Sequence, residues 1–421
     1  MPAPTLRSAA FGPALAVLLA VAGRSASSGG QAAVAPAATS QPGFVAGAER
    51  PSGDSPAVPV PGGWMVAYDE RIPGTDVVFR MLPIAGGSCR VGSPDTEAGR
   101  DAVEGPTFDV AVEPFWMGRC EVTWGEYRAY MSACDLFQKM EAAGFRPVTE
   151  ANEADAVTAP SNLYDPSTTF TNGEEPELPA VTMTQFAARQ YTKWLSGLTD
   201  RFYRLPAETE WEYACRAGST TPWSTGVDPA ALDAAAWHAG NADDTTHPVG
   251  SKKPNAWGLH DMHGNVAEWV VDELLADGYA RQAALPQPVP VAAGIVWPER
   301  LYPRVLRGGA YYDEPAQCRS GSRRGSRDSG GTPEDPDWKD VDPNLPKSPW
   351  WYTESPALGV GLRVVRPLAV PEAEIRRRWW NADVESIRLD TADRLTQGRG
   401  SRGIVDPALP DELRAQGIGE Q

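Results

Sequence analysis

The chain has 421 residues, 42% hydrophobic and 22% charged, enough to build a sizeable core. Its formal net charge of -17 argues against non-specific nucleic-acid binding, which needs clustered Lys and Arg to neutralise phosphates. Gly 41 and Pro 40 point to a loop-dominated protein or long unstructured flanks, whereas Trp 15 is too many for disorder, so the middle of the chain must fold.

The chain opens with Arg7 and then the short apolar run Ala9 to Gly23, followed by small residues. Residues 1–34 therefore read as an export signal with its cleavage region, and the protein is expected in the periplasm, outside the cell or on its surface. No Cys lies near the cleavage region, which argues against a lipid anchor, and no later run of about 20 apolar residues predicts a membrane span. Residues 35–75 are rich in Pro, Ala and Gly and predict a linker without a core-forming pattern. The texture changes at Val77. A strand-like run, Val77 to Ile84, ends at Gly86-Gly87, and Phe108 to Val112 alternates apolar with polar residues.

Thr123-Trp124-Gly125-Glu126 fits a capping box that opens a helix showing Tyr127, Tyr130, Met131 and Cys134 on one face. A second helix starts at Thr184, with Ala187, Tyr191, Trp194, Leu195 and Leu198 at helical spacing. A third follows Pro206, with Trp211, Ala214 and Cys215 inward and Gly218 as its stop. Glu208, Glu210 and Glu212 lie on it at i, i+2 spacing, which turns them apart, so they predict capping of a helix N-terminus rather than an acid–base pair. Residues 327–356 are acidic and Pro-rich yet hold Trp338, Trp350 and Trp351, predicting an ordered surface loop; Trp350, Trp351 and Tyr352 are candidates for an exposed binding patch. Residues 369–421 form a charged extension expected to be helical with a frayed end. The five cysteines, Cys89, Cys120, Cys134, Cys215 and Cys318, allow at most two disulfides and include no Cys-x-x-Cys, which excludes a zinc ribbon or a thioredoxin-type site.

Five blocks carry the functional signal: Arg204-Leu205-Pro206-Ala207-Glu208-Thr209-Glu210-Trp211-Glu212-Tyr213, Pro248-Val249-Gly250, Gly258-Leu259-His260-Asp261-Met262-His263-Gly264-Asn265-Val266-Ala267-Glu268-Trp269, Arg307-Gly308-Gly309 and Gly361-Leu362-Arg363. In this order they resemble the formylglycine-generating (sulfatase-modifying factor) family over roughly residues 77 to 367. The resemblance implies a single α+β domain, residues 76–368, that is loop-rich, low in regular secondary structure and related to C-type lectin-like scaffolds. It also implies oxidation of a Cys in a sulfatase polypeptide, using O2 and copper(I) held by two thiolates four and nine residues beyond the second Gly. Those positions are Asp313 and Cys318 here. Carboxylate is a hard ligand and does not replace a thiolate on copper(I), so copper is not expected.

Cys318 remains the one candidate catalytic residue, against a reading as a buried Cys or a disulfide partner of Cys215. The same resemblance implies calcium held by the Asp261 and Glu268 carboxylates and the Gly264 and Val266 carbonyls, an all-oxygen set with two negative charges. Asn241, Asp243 and Asp244 fall in the region of a second calcium site. His260 and His263 lie three apart with no evident third ligand and read as turn-packing residues, as Arg204 and Arg307 read as structural ion-pair partners. Two functions follow: an exported, calcium-stabilised binding or auxiliary module for a protein or glycan partner, or a formylglycine-generating (or related thiol) oxidase with a remodelled site, acting on a protein cysteine such as one in a sulfatase.

Overall fold

The structure, a computed structural model, describes residues 41–53, 55–161, 166–326 and 357–418. The expected export signal and the expected aromatic loop at 327–356 lie outside the described residues. The fold is mixed α and β, assembled from short elements joined by long loops. The first half supplies β1 (Phe44–Ala46), β2 (Ala57–Val60), β3 (Gly63–Val66), β4 (Tyr68–Arg71), β5 (Val78–Ile84), β6 (Gly87–Val91), β7 (Phe108–Val112) and β8 (Phe115–Gly118). The second supplies β9 (Val157–Pro160), β10 (Ala267–Glu273), β11 (Val289–Pro290), β12 (Arg304–Arg307), β13 (Arg323–Gly325), β14 (Val360–Leu362), β15 (Val365–Pro367) and β16 (Gly400–Gly403).

The longer helices are α1 (Trp124–Met131), α2 (Ala133–Ala142), α3 (Gln185–Thr199), α4 (Glu208–Arg216), α5 (Ala373–Trp380), α6 (Glu385–Thr396) and α7 (Leu409–Gln416). The local signals act as anticipated. Thr123 and Glu126 close a reciprocal capping box on α1, and Thr184 Oγ accepts from the Ala187 amide at the start of α3. On α4 the side chain of Glu210 accepts from the Ala207 amide, and the helix ends at Ala217 in the left-handed region, one residue before the glycine chosen as its stop.

Of two four-stranded sheets, the first carries parts of three functional blocks on β10, β12 and β14. It has the order β13-β12-β10-β14, with β10 and β14 parallel, and the other runs β15-β8-β5-β4. Trp116, Trp124, Tyr127, Tyr130, Tyr191 and Trp269 fill the larger apolar core between α1, α3 and these strands. A second core packs Trp211 and Cys215 of α4 against β6, β7 and β12.

The stretch anticipated as linker is built into this body. Residues 44–71 carry β1 to β4, and Met65, Tyr68 and Ile72 are buried in the larger core. A handful of well-placed apolar side chains suffices where each seats on an existing core, with Tyr68 Oη bonded to Tyr203 Oη at 2.8 Å.

The C-terminal extension is likewise docked. The last carbonyls of α5, which a helix leaves without internal donors, are met by side chains of α3. Arg189 donates to the Arg378 and Trp379 carbonyls at 2.6 and 2.7 Å, and Gln190 donates to the Trp380 carbonyl at 2.7 Å. Lys193 Nζ donates to the Ala154 and Ala156 carbonyls and to Asn381 Oδ1. Asp383 completes this clasp between Arg189 and Arg304, and Trp379 packs under the Arg204 guanidinium, 4.0 Å from its ring centroid. Instead of fraying, the chain returns as β16 to pair with β9.

Candidate functional site in the Gly250 to Trp269 loop and the Gly308 to Cys318 turn

Blocks far apart in sequence meet around the loop from Gly258 to Trp269. Gly258, Asp261, Gly264 and Asn265 all adopt positive φ, between 56° and 86°, which winds the loop tightly. Gly264 is required here, because a Cβ at that position would sit 2.0 Å from the Trp237 carbonyl oxygen. The Gly264 amide donates to the Gly308 carbonyl, and the Asn265 carbonyl accepts from the Tyr311 amide, so the loop is tied to the Arg-Gly-Gly turn. Asn265 is a fully buried knot: its Oδ1 accepts from the His247 amide, and its Nδ2 donates to the His247 carbonyl and to Glu121 Oε1.

Glu268, completely buried, is held on both oxygens. Arg363 donates to it through Nε and Nη2 at 2.7 to 3.1 Å, and Trp211 Nε1 donates to Oε2 at 2.7 Å. Three of the five blocks converge on this carboxylate. Asp261 differs. Its Oδ2 accepts from the Gly250 amide at 2.6 Å, whereas Oδ1 finds no donor among the described residues. The same holds for Oε2 of Glu121, which lies beside it. Burial, reinforced by the Asp261 charge, holds the Glu121 carboxyl well above the usual range; burial also raises Asp261, against the opposing pull of the Gly250 amide and Arg363.

Around this loop stands a frame of buried ion pairs. The α4 glutamates do more than cap: Glu208 binds Arg323 and Arg307, Glu212 binds Arg307 and Arg216, and Glu210 binds Arg204 through both oxygens. Glu208 and Glu212 share Arg307 of β12, while Glu210, between them in sequence, turns away to Arg204. Arg204 and Arg307 are thus structural, as their blocks imply. The same frame includes Arg319 between Glu97 and Glu104.

The turn after Gly309 closes on itself. Asp313 Oδ2 accepts from the Ala310 amide at 2.8 Å and Oδ1 accepts from Arg324 Nη1 at 2.9 Å, so both oxygens are engaged in turn and ion pair. Cys318 is fully buried against Trp223, Leu232 and Ala236, and burial pushes its thiol far up, away from the thiolate that nucleophilic or copper chemistry needs. A cavity of about 230 Å3 opens beside Gly309 and Asp313, bordered by Arg100, Arg319 and Arg324.

The disulfide considered between Cys318 and Cys215 does not form, and all five cysteines are free thiols. Cys215 belongs to the core under α4, where its Sγ meets Met262 O and Ser320 Oγ at 3.4 and 3.6 Å. His263 contacts both residues: its Nδ1–H donates to the Cys318 carbonyl at 2.7 Å, and its ring lies 3.7 Å from Cys215 Sγ. Its Nε2 accepts from the Ser224 amide, a set of partners that fixes the neutral tautomer, and burial holds its pKa at about 4. His260 instead bonds the Lys252 carbonyl through Nδ1, so the two histidines do not converge.

For calcium, which takes six to eight oxygens, the implied ligand set fits only in part. Asp261 offers a free oxygen in the expected place, but Glu268 is neutralised by Arg363 and has no oxygen to spare. The second candidate region does not gather: Asn241 Oδ1 caps the His238 amide, and Asp243 and Asp244 are exposed. Among the described residues no group of three or more His, Cys, Asp or Glu side chains is placed to hold a metal ion. Glu121 escaped the sequence reading. Its one signal is an acid wedged between Cys120 and Val122 just ahead of the capping box.

The sulfatase-modifying factor enzyme 1-like domain family matches residues 72–334. The chain belongs to that family. This family member is 27% identical over 287 residues to a formylglycine-generating enzyme from Thermomonospora curvata, covering 60% of this chain and 90% of that protein. It is also 28% identical over 232 residues to an inactive C-alpha-formylglycine-generating enzyme 2 from Bos taurus, covering 48% of this chain and 74% of the relative. The solved structure of PvdO from Pseudomonas aeruginosa matches 70% of this chain and 96% of its own, with 28% identity and a TM-score of 0.49. The match to the family reaches over the blocks from Arg204 to Gly309, and among the described residues no helix is long and apolar enough to cross a membrane.

Proposed function

We propose that this family member is an exported binding or auxiliary module, stabilised by calcium, that engages a protein partner without copper-dependent oxidation. A sulfatase polypeptide is the partner class the family relationship favours, and a glycan is the other. One observation carries the reading: the position where the resemblance implies a copper thiolate is a carboxylate with both oxygens already engaged, by the Ala310 amide and Arg324. A hard, paired carboxylate and a buried, protonated thiol at Cys318 do not make a soft two-coordinate site. The similarity to a curated inactive relative is consistent with a family frame kept without its oxidase chemistry.

The alternative, a formylglycine-generating oxidase with remodelled ligands, is favoured by similarity across 90% of a formylglycine-generating enzyme. Copper(I) titration of the purified protein, alongside a peptide containing Cys-x-Pro-x-Arg, separates the two. No stoichiometric copper binding and no aldehyde is the expected result. Tight binding with aldehyde formation would overturn the proposal in favour of the oxidase.

A further inference from the structure

A cavity of about 340 Å3, larger than the one beside Gly309, opens between α2, α6 and β16 and shares no residue with the loop or the turn described above. Both α6 and β16 lie beyond residues 72–334, so its walls include a part of the chain that the family match does not reach. Phe137 and Met140 of α2, each 2% exposed or less, line it together with the half-buried Phe145 and Leu395. Strand β16 comes this close to α2 because Gly403 has no side chain: a Cβ there would stand 2.2 Å from the Phe137 ring. Residues two apart on a strand share a face, so Ser401 turns towards α2 as Gly403 does, while the intervening Arg402 turns away and pairs with Glu153. Ser401 lines the cavity, is 5% exposed, and has no hydrogen-bond partner for its hydroxyl among the described residues. A buried hydroxyl without a partner is costly, and here the group that meets it must come from the cavity.

The charges around the cavity are already answered. Arg146, in the left-handed region at φ 48°, pairs with Asp406 and Glu412 at 2.8 and 2.7 Å, and Glu141 is exposed to water. A charged ligand would give up its hydration against apolar walls with no opposite charge left to receive it, whereas a neutral one gains the apolar contact at no such cost. We propose that this cavity binds a small uncharged amphiphile, an alcohol or phenol whose apolar body lies against Phe137, Met140, Phe145 and Leu395 and whose hydroxyl meets Ser401. Small-molecule sites run upward from about 300 Å3 and combine apolar and aromatic walls with a few placed polar groups, which is the composition here. The volume limits the ligand to a single ring or a short chain.

The site is independent of the proposed function, and neither result decides the other. The test titrates the full chain by calorimetry with para-cresol and with two matched probes, toluene, which lacks the hydroxyl, and para-toluate, which replaces it with a charge. One para-cresol is expected per chain, bound about fivefold more tightly than toluene, the worth of one hydrogen bond, and about tenfold more tightly than para-toluate. Ser401→Ala should erase the preference over toluene and keep toluene binding, which also shows that the variant folds. Leu395→Trp, which sets an indole into the cavity from a half-buried position, should abolish binding of both, with thermal unfolding reporting that it folds. Undiminished para-cresol binding by folded Leu395→Trp would overturn the location. Equal binding of para-cresol and toluene by the wild type would overturn the part given to Ser401, and para-toluate bound as tightly as para-cresol would overturn the neutral class. Absence of saturable para-cresol binding would overturn the site and leave water as what meets Ser401.

Discussion

Asp313 and Asp261 are both buried aspartates, each in a tight turn and each accepting from a backbone amide, and they have opposite surroundings. Asp313 sits where every oxygen is matched, by Ala310 and Arg324. Asp261 sits where the matching stops one donor short, next to a second acid in the same condition. The first region pairs an acid with a base and a backbone amide, and the second sets two buried acids against each other. The difference teaches that family resemblance fixes where chemistry can occur, while local hydrogen-bond completeness decides whether it does.

Mutations turn this contrast into a difference of sign. The largest effect is expected at Glu268. Removing this fully matched carboxylate in Glu268→Ala strands Arg363 in the interior, and denaturant unfolding should show a loss of about 3 to 5 kcal/mol. Full stability after that change would mean Arg363 has another partner and the matched frame is not what holds the loop.

Next comes the clasp of the extension, matched in the same way. Two arginines hold Asp383 at about 2, below its ordinary 3.8. A depressed carboxyl contributes stability above the unfolded value and loses it as pH falls through the folded one. About 2 kcal/mol should therefore disappear between pH 4 and pH 2, and Asp383→Asn should flatten that part of the pH profile. An unchanged profile would remove Asp383 from the set of matched acids.

Asp313→Ala should cost about 1 kcal/mol by thermal unfolding, the worth of a turn bond and a partly exposed ion pair, without creating copper affinity. The smallest effect is also the most telling. Asp261→Asn should leave thermal stability within about 0.5 kcal/mol of the wild type or raise it slightly, since it removes one of two adjacent buried acids. A large loss of stability would place Asp261 with the matched acids and erase the contrast.

Much of the frame was legible. The Thr123 capping box, the start of α3 at Thr184 and the helix after Pro206 follow from local chemistry, and all three form. The ordered blocks located the loop and the turn. Partnership was not legible, because it is long-range: nothing near Glu268 announces Arg363, and nothing near Asp261 announces Glu121. The same limit hid β1 to β4. Met65, Tyr68 and Ile72 are too sparse to show a period, and they fold because a core formed elsewhere receives them. Composition reads a segment by itself, whereas burial depends on what it meets.

The clasp on α5 carries a consequence for where this protein ends as a folding unit. Arg189, Gln190 and Lys193 spend their donors on Arg378, Trp379, Trp380 and Asn381, and the indole of Trp379 lies flat against the Arg204 guanidinium. A chain cut after Pro367, at the edge of the family pattern, would bare a row of hydrogen-bond donors built to be covered and would uncover the ion pair that anchors α4. The autonomous unit of this molecule is therefore longer than its homology, and its last helices are a wall of the house instead of an annex.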